Sequence, residues 1–348
     1  MKKHLPNLLK IIFVVLVMGF ILVHKQQTSR ILVVHSYLND YDWVNEINEG
    51  FTRIFDKHQE YITRYHYMNL KNQNSPRYRE TSTGRVQRLI KNWEPDIIII
   101  VDDWAQRLIG TIYIDNPDIK IIFAGVNADI EKYGYDKAKN VTGILERKPL
   151  DAIKQTALMV LASQGKDIQA NQDLKIIFIG DKSANITLQI PYFGSYDWSP
   201  LRWMPPIQVD TFDDWKEAVE KAGDKYDIIM VANYQQVRQK LDSKEFIRPV
   251  DIVMTWTEKN SKIPIIGTGS GNVAEGGMIA VSVSGYEQGE VAAQMAIDIA
   301  KGVSPKDIPV VSTKQFLISV RKSAMERRKL PIPSIYEAFA RATEKYYE

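Results

Sequence analysis

The chain of 348 residues contains no cysteine. That absence excludes disulfides, thiolate metal sites, iron–sulfur clusters and a cysteine nucleophile. It also removes the lipid-modified cysteine that anchors many bacterial surface binding proteins. Only five histidines are present and they are scattered, so no zinc site is visible. A formal net charge of +3 is small, and part of it comes from Lys2, Lys3 and Lys10. No concentrated basic face precedes Arg321–Lys329, and that short run reads as a solvated helix face, so nucleic acid is not an expected partner. Long apolar runs are missing too, except one at the N-terminus.

That exception spans Ile11 to Val23 and carries no charge. A basic start followed by a run near the roughly 7–15 residues of a secretory apolar region points to export. It falls short of the about 20 residues of a comfortable membrane span. The following His24-Lys-Gln-Gln-Thr-Ser29 has no small-x-small cleavage pattern. Residues 1–29 are therefore expected to be a signal or anchor segment, uncleaved or poorly cleaved, holding an extracytoplasmic protein at the cytoplasmic membrane. A buried cytoplasmic helix is the alternative.

What the chain has in abundance is short runs of branched apolar residues that end in polar clusters. Arg30-Ile-Leu-Val-Val runs into His35-Ser-Tyr, Ile97-Ile-Ile-Ile-Val into Asp102-Asp103-Trp104, and Lys120-Ile-Ile-Phe-Ala into Gly125-Val-Asn127. Ile176-Ile-Phe-Ile-Gly180-Asp181, Ile228-Ile-Met-Val-Ala-Asn233 and Ile263-Pro-Ile-Ile-Gly-Thr-Gly269 repeat the device. Runs apolar on both faces read as buried parallel strands. Between them lie helical patterns, such as Trp43, Ile47, Phe51 and Ile54. Further helices are expected over 78–92, 105–113, 150–162, 212–223, 235–241, 286–301, 321–329 and 334–347.

The β-α-β alternation runs once, then restarts near Glu146–Leu150. The expected fold is α/β, with two doubly wound parallel-sheet lobes and a ligand cleft between them. The first lobe covers 30–147 with about 284–304 returning to it. The second covers 148–283 with about 305–330, and 331–348 form a C-terminal helix.

Ligands of open parallel sheets sit beyond the carboxyl ends of the strands. Ser36 and Tyr37 are therefore candidate contacts, although a hydroxyl there can equally cap a helix. Adjacent Asp102 and Asp103 point in different directions, one toward a ligand and one toward a helix start. Asn127 is a hydrogen-bonding candidate beside Gly125, which permits close backbone approach. Asp181, Ser183 and Asn185 hold the equivalent strand end in the second half, with Asn233 and Tyr234 after the next strand. Trp256 can stack on a ligand, and Thr268 lies in the following glycine-rich loop. Trp43 completes the set.

No catalytic constellation is present. Gly267-x-Gly269-x-Gly271 lacks the last glycine of a dinucleotide fingerprint, because position 272 is Asn. Gly180-Asp-Lys-Ser183 is too short for a phosphate loop, and no Gly-x-Ser-x-Gly elbow occurs. Neither a cofactor nor a metal is expected.

Several segments resemble one family. These are Val33-Val-His35-Ser-Tyr37 with Asp42-Trp43 and Gly50-Phe51, Pro95-Asp96-Ile-Ile with Asp102-Asp103-Trp-Ala, and Ile122-Phe-Ala-Gly-Val-Asn127 with Asn140-Val-Thr-Gly143. Glu287-Gln-Gly289-Glu-Val-Ala-Ala293 and Gly302-x-x-Pro305-x-Asp307-Ile-Pro309 complete the series. In this order they resemble type I solute-binding proteins of the ABC-transporter substrate-binding family, from about Arg30 to Pro333. The resemblance implies a two-lobed extracytoplasmic receptor without catalysis, closing by hinge motion on a small solute. An ABC permease at the membrane is the implied partner. Similar openings occur in extracellular sensor domains, so a sensory module serving a separate signalling protein, such as a sensor kinase, is the alternative. Ser36, Asp102 and Asn127 together suit a zwitterion, which suggests an amino-acid-like solute.

Overall fold

The computed structural model describes Phe13 and residues 29–168, 173–242, 246–247 and 251–348. The expected signal or anchor segment lies outside the described residues, Phe13 and Ser29 excepted. Among the described residues no helix is long and apolar enough to cross a membrane. The chain divides into two compact units. Unit 1 runs to Leu145 and takes back Gly285–Val311, while unit 2 holds Glu146–Ser284 and Ser312–Glu348. Residues 305–311 thus stay with unit 1, and the C-terminal helix belongs to unit 2.

Unit 1 is built on β1 (Arg30–His35), β2 (Ile62–Tyr67), β3 (Ile97–Val101), β4 (Lys120–Val126) and β5 (Val141–Leu145). They lie parallel in the order β5-β4-β3-β1-β2. Every residue of β3 is buried, as its unbroken Ile-Ile-Ile-Ile-Val run requires. Helices α1 (Asp42–Phe55), α2 (Pro76–Trp93) and α3 (Asp102–Leu108) connect the strands. Ser75 caps α2 by accepting from the Tyr78 N–H at 3.2 Å, with Pro76 at the first turn. The helix expected over 105–113 begins three residues earlier and yields to a 3-10 turn at Gly110–Ile112.

Unit 2 carries β6 (Lys175–Asp181), β7 (Arg202–Trp203), β8 (Ile207–Val209), β9 (Ile228–Val231), β10 (Ile265–Gly267) and β11 (Ile279–Val283). Two-residue β12 (Val311–Ser312) edges the first sheet beside β5. In unit 2, β13 (Phe316–Arg321) and β14 (Tyr346–Tyr347) follow β11 in the order β14-β13-β11-β10-β9-β6-β7, with β8 also on β6. All pairs there are parallel except β11–β13. Its helices are α4 (Leu150–Ser163), α5 (Ala184–Ser195), α6 (Phe212–Lys225), α7 (Asp251–Asn260) and α8 (Gly271–Ala274). The intervening α9 (Gly285–Ala300) belongs to unit 1, and α10 (Lys322–Arg327) and α11 (Ser334–Ala342) close unit 2.

Two expectations fail here. Residues 235–241 form no helix; the Val237 N–H bonds to Tyr234 O and Arg238 bridges Thr211. The helix falls instead at α7, where Val253, Met254 and Thr257 turn inward. The terminal helix stops at Ala342, because 346–347 pair with β13.

The returning α9 docks on α1 backbone to backbone. A Cβ on Gly50 would land on the Tyr286 carbonyl, and one on Gly289 on the Ile47 carbonyl. Only glycine allows this approach. Behind the crossing, Ala292, Ala293, Ala296 and Ile297 join Ile47, Phe51 and the odd-numbered side of β1 in one core. Gly289→Ala is expected to destabilise unit 1 by about 1–3 kcal/mol, since neither helix can retreat from a packed core. A urea melt of the variant checks this; an unchanged midpoint would mean the helices slide apart freely.

Candidate functional site

In both units the strand order reverses once within the parallel sheet. In unit 1 the reversal lies between β1 and β3, and in unit 2 between β6 and β9. Open α/β sheets bind ligands outside the carboxyl ends of the strands at such a switch point. Most of the residues singled out from the sequence sit at these two places.

At the unit 1 pole the polar residues divide into buried supports and half-buried surfaces. Ser36 is fully buried. Its hydroxyl donates to Val101 O at 2.8 Å and accepts from the Ala105 N–H at 2.9 Å. It therefore caps α3 from a neighbouring strand end, because Val101 at the N-cap has no side-chain acceptor. Asp103 is committed as fully. Its carboxylate accepts from the Asn127 and Ala128 N–H groups, both at 3.1 Å, and from the Tyr133 hydroxyl at 2.6 Å. Burial, reinforced by Asp103, pushes the Tyr133 phenol up. Asp103 thus serves the local frame, holding the Asn127 and Ala128 main chain and the Tyr133 hydroxyl.

Asp102 is also buried, and it holds φ +68°, a left-handed backbone that costs a non-glycine residue energy. Its Oδ1 accepts from the Trp43 indole N–H at 3.0 Å. Gly125 fits against both: a Cβ there would lie 3.2 Å from Asp102 Oδ1 and 3.4 Å from Trp43 Cζ2, at φ +64°. The Gly125 N–H donates to Gln288 Oε1 at 2.7 Å, and Gln288 Nε2 donates to Leu145 O at 3.3 Å. Five chain segments so converge: the start of α1, the ends of β3, β4 and β5, and the start of α9. Gln288 carries no chemical signal of its own in the sequence; only its place in Glu287-Gln-Gly289, one of the segments that carry the resemblance, points to it.

Trp43, Tyr37 and Asn127 are each half-buried and form the pole's partly exposed surface. Tyr37 lies 6.4 Å from Tyr41, ring centroid to ring centroid, and the Lys71 ammonium sits 3.5 Å from the Tyr41 ring and 5.8 Å from that of Tyr37. Below them His35 is fully buried, stacked on Tyr67 at 5.1 Å, with Nε2 bonded to Asn48 Oδ1 at 2.9 Å. The amide oxygen accepts, so Nε2 carries the proton. Burial pulls the imidazole down from 6.5 to about 3, with the Asn48 bond opposing.

At the unit 2 pole Asp181 is buried, its two oxygens accepting from the Ser183 and Gln236 N–H groups, each at 3.0 Å. Its own N–H donates to Asn233 O at 2.9 Å, tying the ends of β6 and β9. Ser183 is the N-cap of α5, and its buried hydroxyl has no hydrogen-bonding partner among the described residues. The side chain of Asn185 is not among those described. Asn233 is half-buried. The Thr268 hydroxyl, after β10, is buried and also without a partner among the described residues. The Gly267–Gly271 loop is stapled by Asn272, whose Oδ1 accepts from the Gly269 N–H at 2.8 Å and whose Nδ2 donates to Ala232 O at 3.0 Å. That role explains asparagine where a nucleotide fingerprint has glycine. Trp256 is placed in α7, edge-on to Phe212 at 5.9 Å and against the core of Trp215 and Tyr234. It packs the helix onto its unit. No cluster of metal-ligating side chains occurs among the described residues.

The family model described as ABC transporter substrate binding protein matches residues 206–343. No curated protein matches the sequence. Solved structures share the fold across nearly the whole chain. A substrate binding protein with adhesive properties from Clostridium difficile, in its ligand-free, open structure, is 17% identical, with TM-score 0.65, over 88% of this chain and 97% of its own. The ABC domain from Streptococcus pneumonia in complex with L-Trp gives 16% and 0.62, over 90% and 98%. A carbohydrate transporter solute binding protein from Agrobacterium Radiobacter in complex with D-arabinose gives 11% and 0.53, over 90% and 98%. The resemblance read from the sequence is borne out, and so is the type I fold of two parallel-sheet α/β units.

Two outcomes follow from this geometry. Ser36→Ala leaves the Ala105 N–H buried without its acceptor and is expected to cost about 1–3 kcal/mol of stability, read by chemical denaturation. His35 is held neutral, with its folded pKa below the unfolded one. Its contribution is therefore complete above 6.5 and is lost as pH falls toward about 3. Acid melts should show a loss of up to about 5 kcal/mol across that window, flattened in His35→Gln. Equal pH profiles for both proteins would contradict it.

Proposed function

Starting from a chain similar to ABC-transporter substrate-binding proteins, we propose that this protein is an extracytoplasmic receptor that delivers a small polar solute to an ABC importer. The observation that carries the reading is the switch-point pole of unit 1. There a carboxylate fixes an indole, a glycine leaves room beside it, and an amide and a phenol stand half-buried at its surface. Such a surface offers apolar walls with a few placed polar groups, the usual make-up of a small-molecule site. Trp43, Tyr37 and Asn127 are the proposed contacts in unit 1, and Asn233 with Ser183 and Thr268 in unit 2. Asp102 acts through Trp43 rather than on the solute. Aromatic walls around an amide suit an amino-acid-like solute, and the pneumococcal relative by fold was crystallised with L-Trp.

Delivery requires the solute to favour one arrangement of the units over another. The chain passes between the units at 145–146, 284–285 and 311–312, where a hinge motion would be absorbed. Recognition of that arrangement by a permease, and retention at the membrane by residues 1–29, complete the proposal. Binding without turnover is the activity proposed.

A thermal-shift panel of amino acids, short peptides, sugars, nucleosides and organic acids tests it. A solute at about 100 times its Kd should add roughly 2.7 kcal/mol of stability. Asn127→Ala and Trp43→Leu should each weaken the hit at least about ten-fold, a loss of ~1.4 kcal/mol. A panel without a hit, or a hit indifferent to both changes, would sink the assignment.

A further inference from the structure

Of the 18 residues of α2, five are basic and one is acidic, so this helix carries more net positive charge than the +3 of the whole chain. At about 100° per residue, Arg77, Arg85, Arg88 and Lys91 fall within an arc of about 120°. The arc lies opposite buried Ser82, Val86, Ile90 and Trp93. All four cations are exposed, and none is in an ion pair among the described residues. Glu80, the one acid within the helix, falls just beyond the edge of the arc, and Glu94 follows at the C-cap. Arg79 turns the other way, onto the Trp104 ring at 5.1 Å. The four cations are spread along the sequence and gather on one face only when the helix winds, so the expectation of no basic face before Arg321 fails. Edge strand β2 extends the face. Ile62, Arg64 and His66 alternate onto its α2 side: the Arg64 guanidinium lies 4.7 Å from the Trp93 ring, and Arg85 reinforces burial in pulling the His66 imidazole down. Arg30, where the chain leaves residues 1–29, is tied to the same corner. Its guanidinium donates to Trp93 O at 2.8 Å, its N–H donates to Asp96 Oδ2 at 2.8 Å, and it stands in register with exposed Ile62.

We propose that the outer face of α2, with Arg64, is a docking surface for anionic phospholipid, the second attachment of a chain whose first is residues 1–29. Two observations choose lipid. Cations that face outward without carboxylate partners complement a surface of phosphates. The chain also enters unit 1 from residues 1–29 at this very corner. Attraction to a charged surface fades within a Debye length of about 10 Å, so a basic face is useful only where the chain is already held close. The uncharged run Ile11–Val23 is short for a span of about 20 residues, and a weak anchor becomes firm when a polybasic patch adds a second signal. From Arg77 to Lys91 the face is ~21 Å long, enough to meet several headgroups. The inference rests on the reading of residues 1–29 as an anchor, and it adds which side of unit 1 meets the bilayer.

The test places the full chain on vesicles of phosphatidylcholine, and on vesicles of phosphatidylcholine and phosphatidylglycerol in equal parts. Flotation reads attachment. Acetylation of Lys91 by an N-hydroxysuccinimide ester, followed by mass spectrometry, reads the face, with exposed Lys225 of unit 2 as the reference amine. Relative to Lys225, Lys91 should react at least about five-fold more slowly on the mixed vesicles than on phosphatidylcholine, the effect of one cation held at an anionic surface. High salt should restore the rate. The triple variant Arg77→Gln, Arg85→Gln, Arg88→Gln keeps the reporter amine and the helix propensity, so it should melt like the parent and lose the protection. Equal Lys91 rates on the two lipids overturn the proposal. So does protection that persists in high salt or in the triple variant. A DNA duplex that protects Lys91 as well as the mixed vesicles do would also overturn it, making the face a general polyanion surface. Flotation on phosphatidylcholine with Lys91 unprotected on the mixed vesicles would leave the anchor standing and refute the face. Protection on the mixed vesicles without flotation on phosphatidylcholine would support the face and strike the anchor. Attachment to neither would refute both.

Discussion

The close crossing of α1 and α9 is the constraint on which the rest of unit 1 depends. Gly50 and Gly289 let two helix backbones touch, and the touch fixes where the chain re-enters unit 1 after unit 2 is complete. Re-entry supplies Gln288, which holds the Gly125 N–H, and Gly285, whose N–H donates to buried Glu46 at 3.3 Å. Without α9 the β4 end would lose that acceptor, and the core would lose the alanine face that lines it. The candidate site is therefore assembled from residues up to 245 positions apart, Trp43 and Gln288. A contact between main chains makes that possible.

The same economy recurs at both poles. Polar side chains at strand ends are first consumed by the backbone, because strand-to-helix turns leave N–H groups that burial would otherwise strand. Ser36, Asp103 and Asp181 are spent in this way. Tyr37, Trp43, Asn127 and Asn233 are partly exposed instead, and they are among the contacts proposed for a solute. Buried supports and half-buried contacts differ in their hydrogen-bond partners more than in residue type, so a list of polar strand-end residues mixes the two.

The sequence by itself determined the strands, their burial and the two-fold restart of the α/β pattern. A run such as Ile97–Val101, apolar at every position, can lie only where both faces are covered. It also placed the candidate residues at strand ends, since the ligand rule for parallel sheets depends on chain direction alone. It misjudged 235–241 and α7, where local periodicity was weak and tertiary packing against Trp215 decided the helix. Tertiary structure alone decided which strand-end residue serves which neighbour. That Ser36 caps a helix 69 residues on, that Asp102 holds Trp43 across 59, and that Lys71 lies on Tyr41 are facts of strand order, not of spacing. Periodicity reports which face of an element is buried; it carries no information about which element is laid beside it, and the chemistry of a site is set by that adjacency.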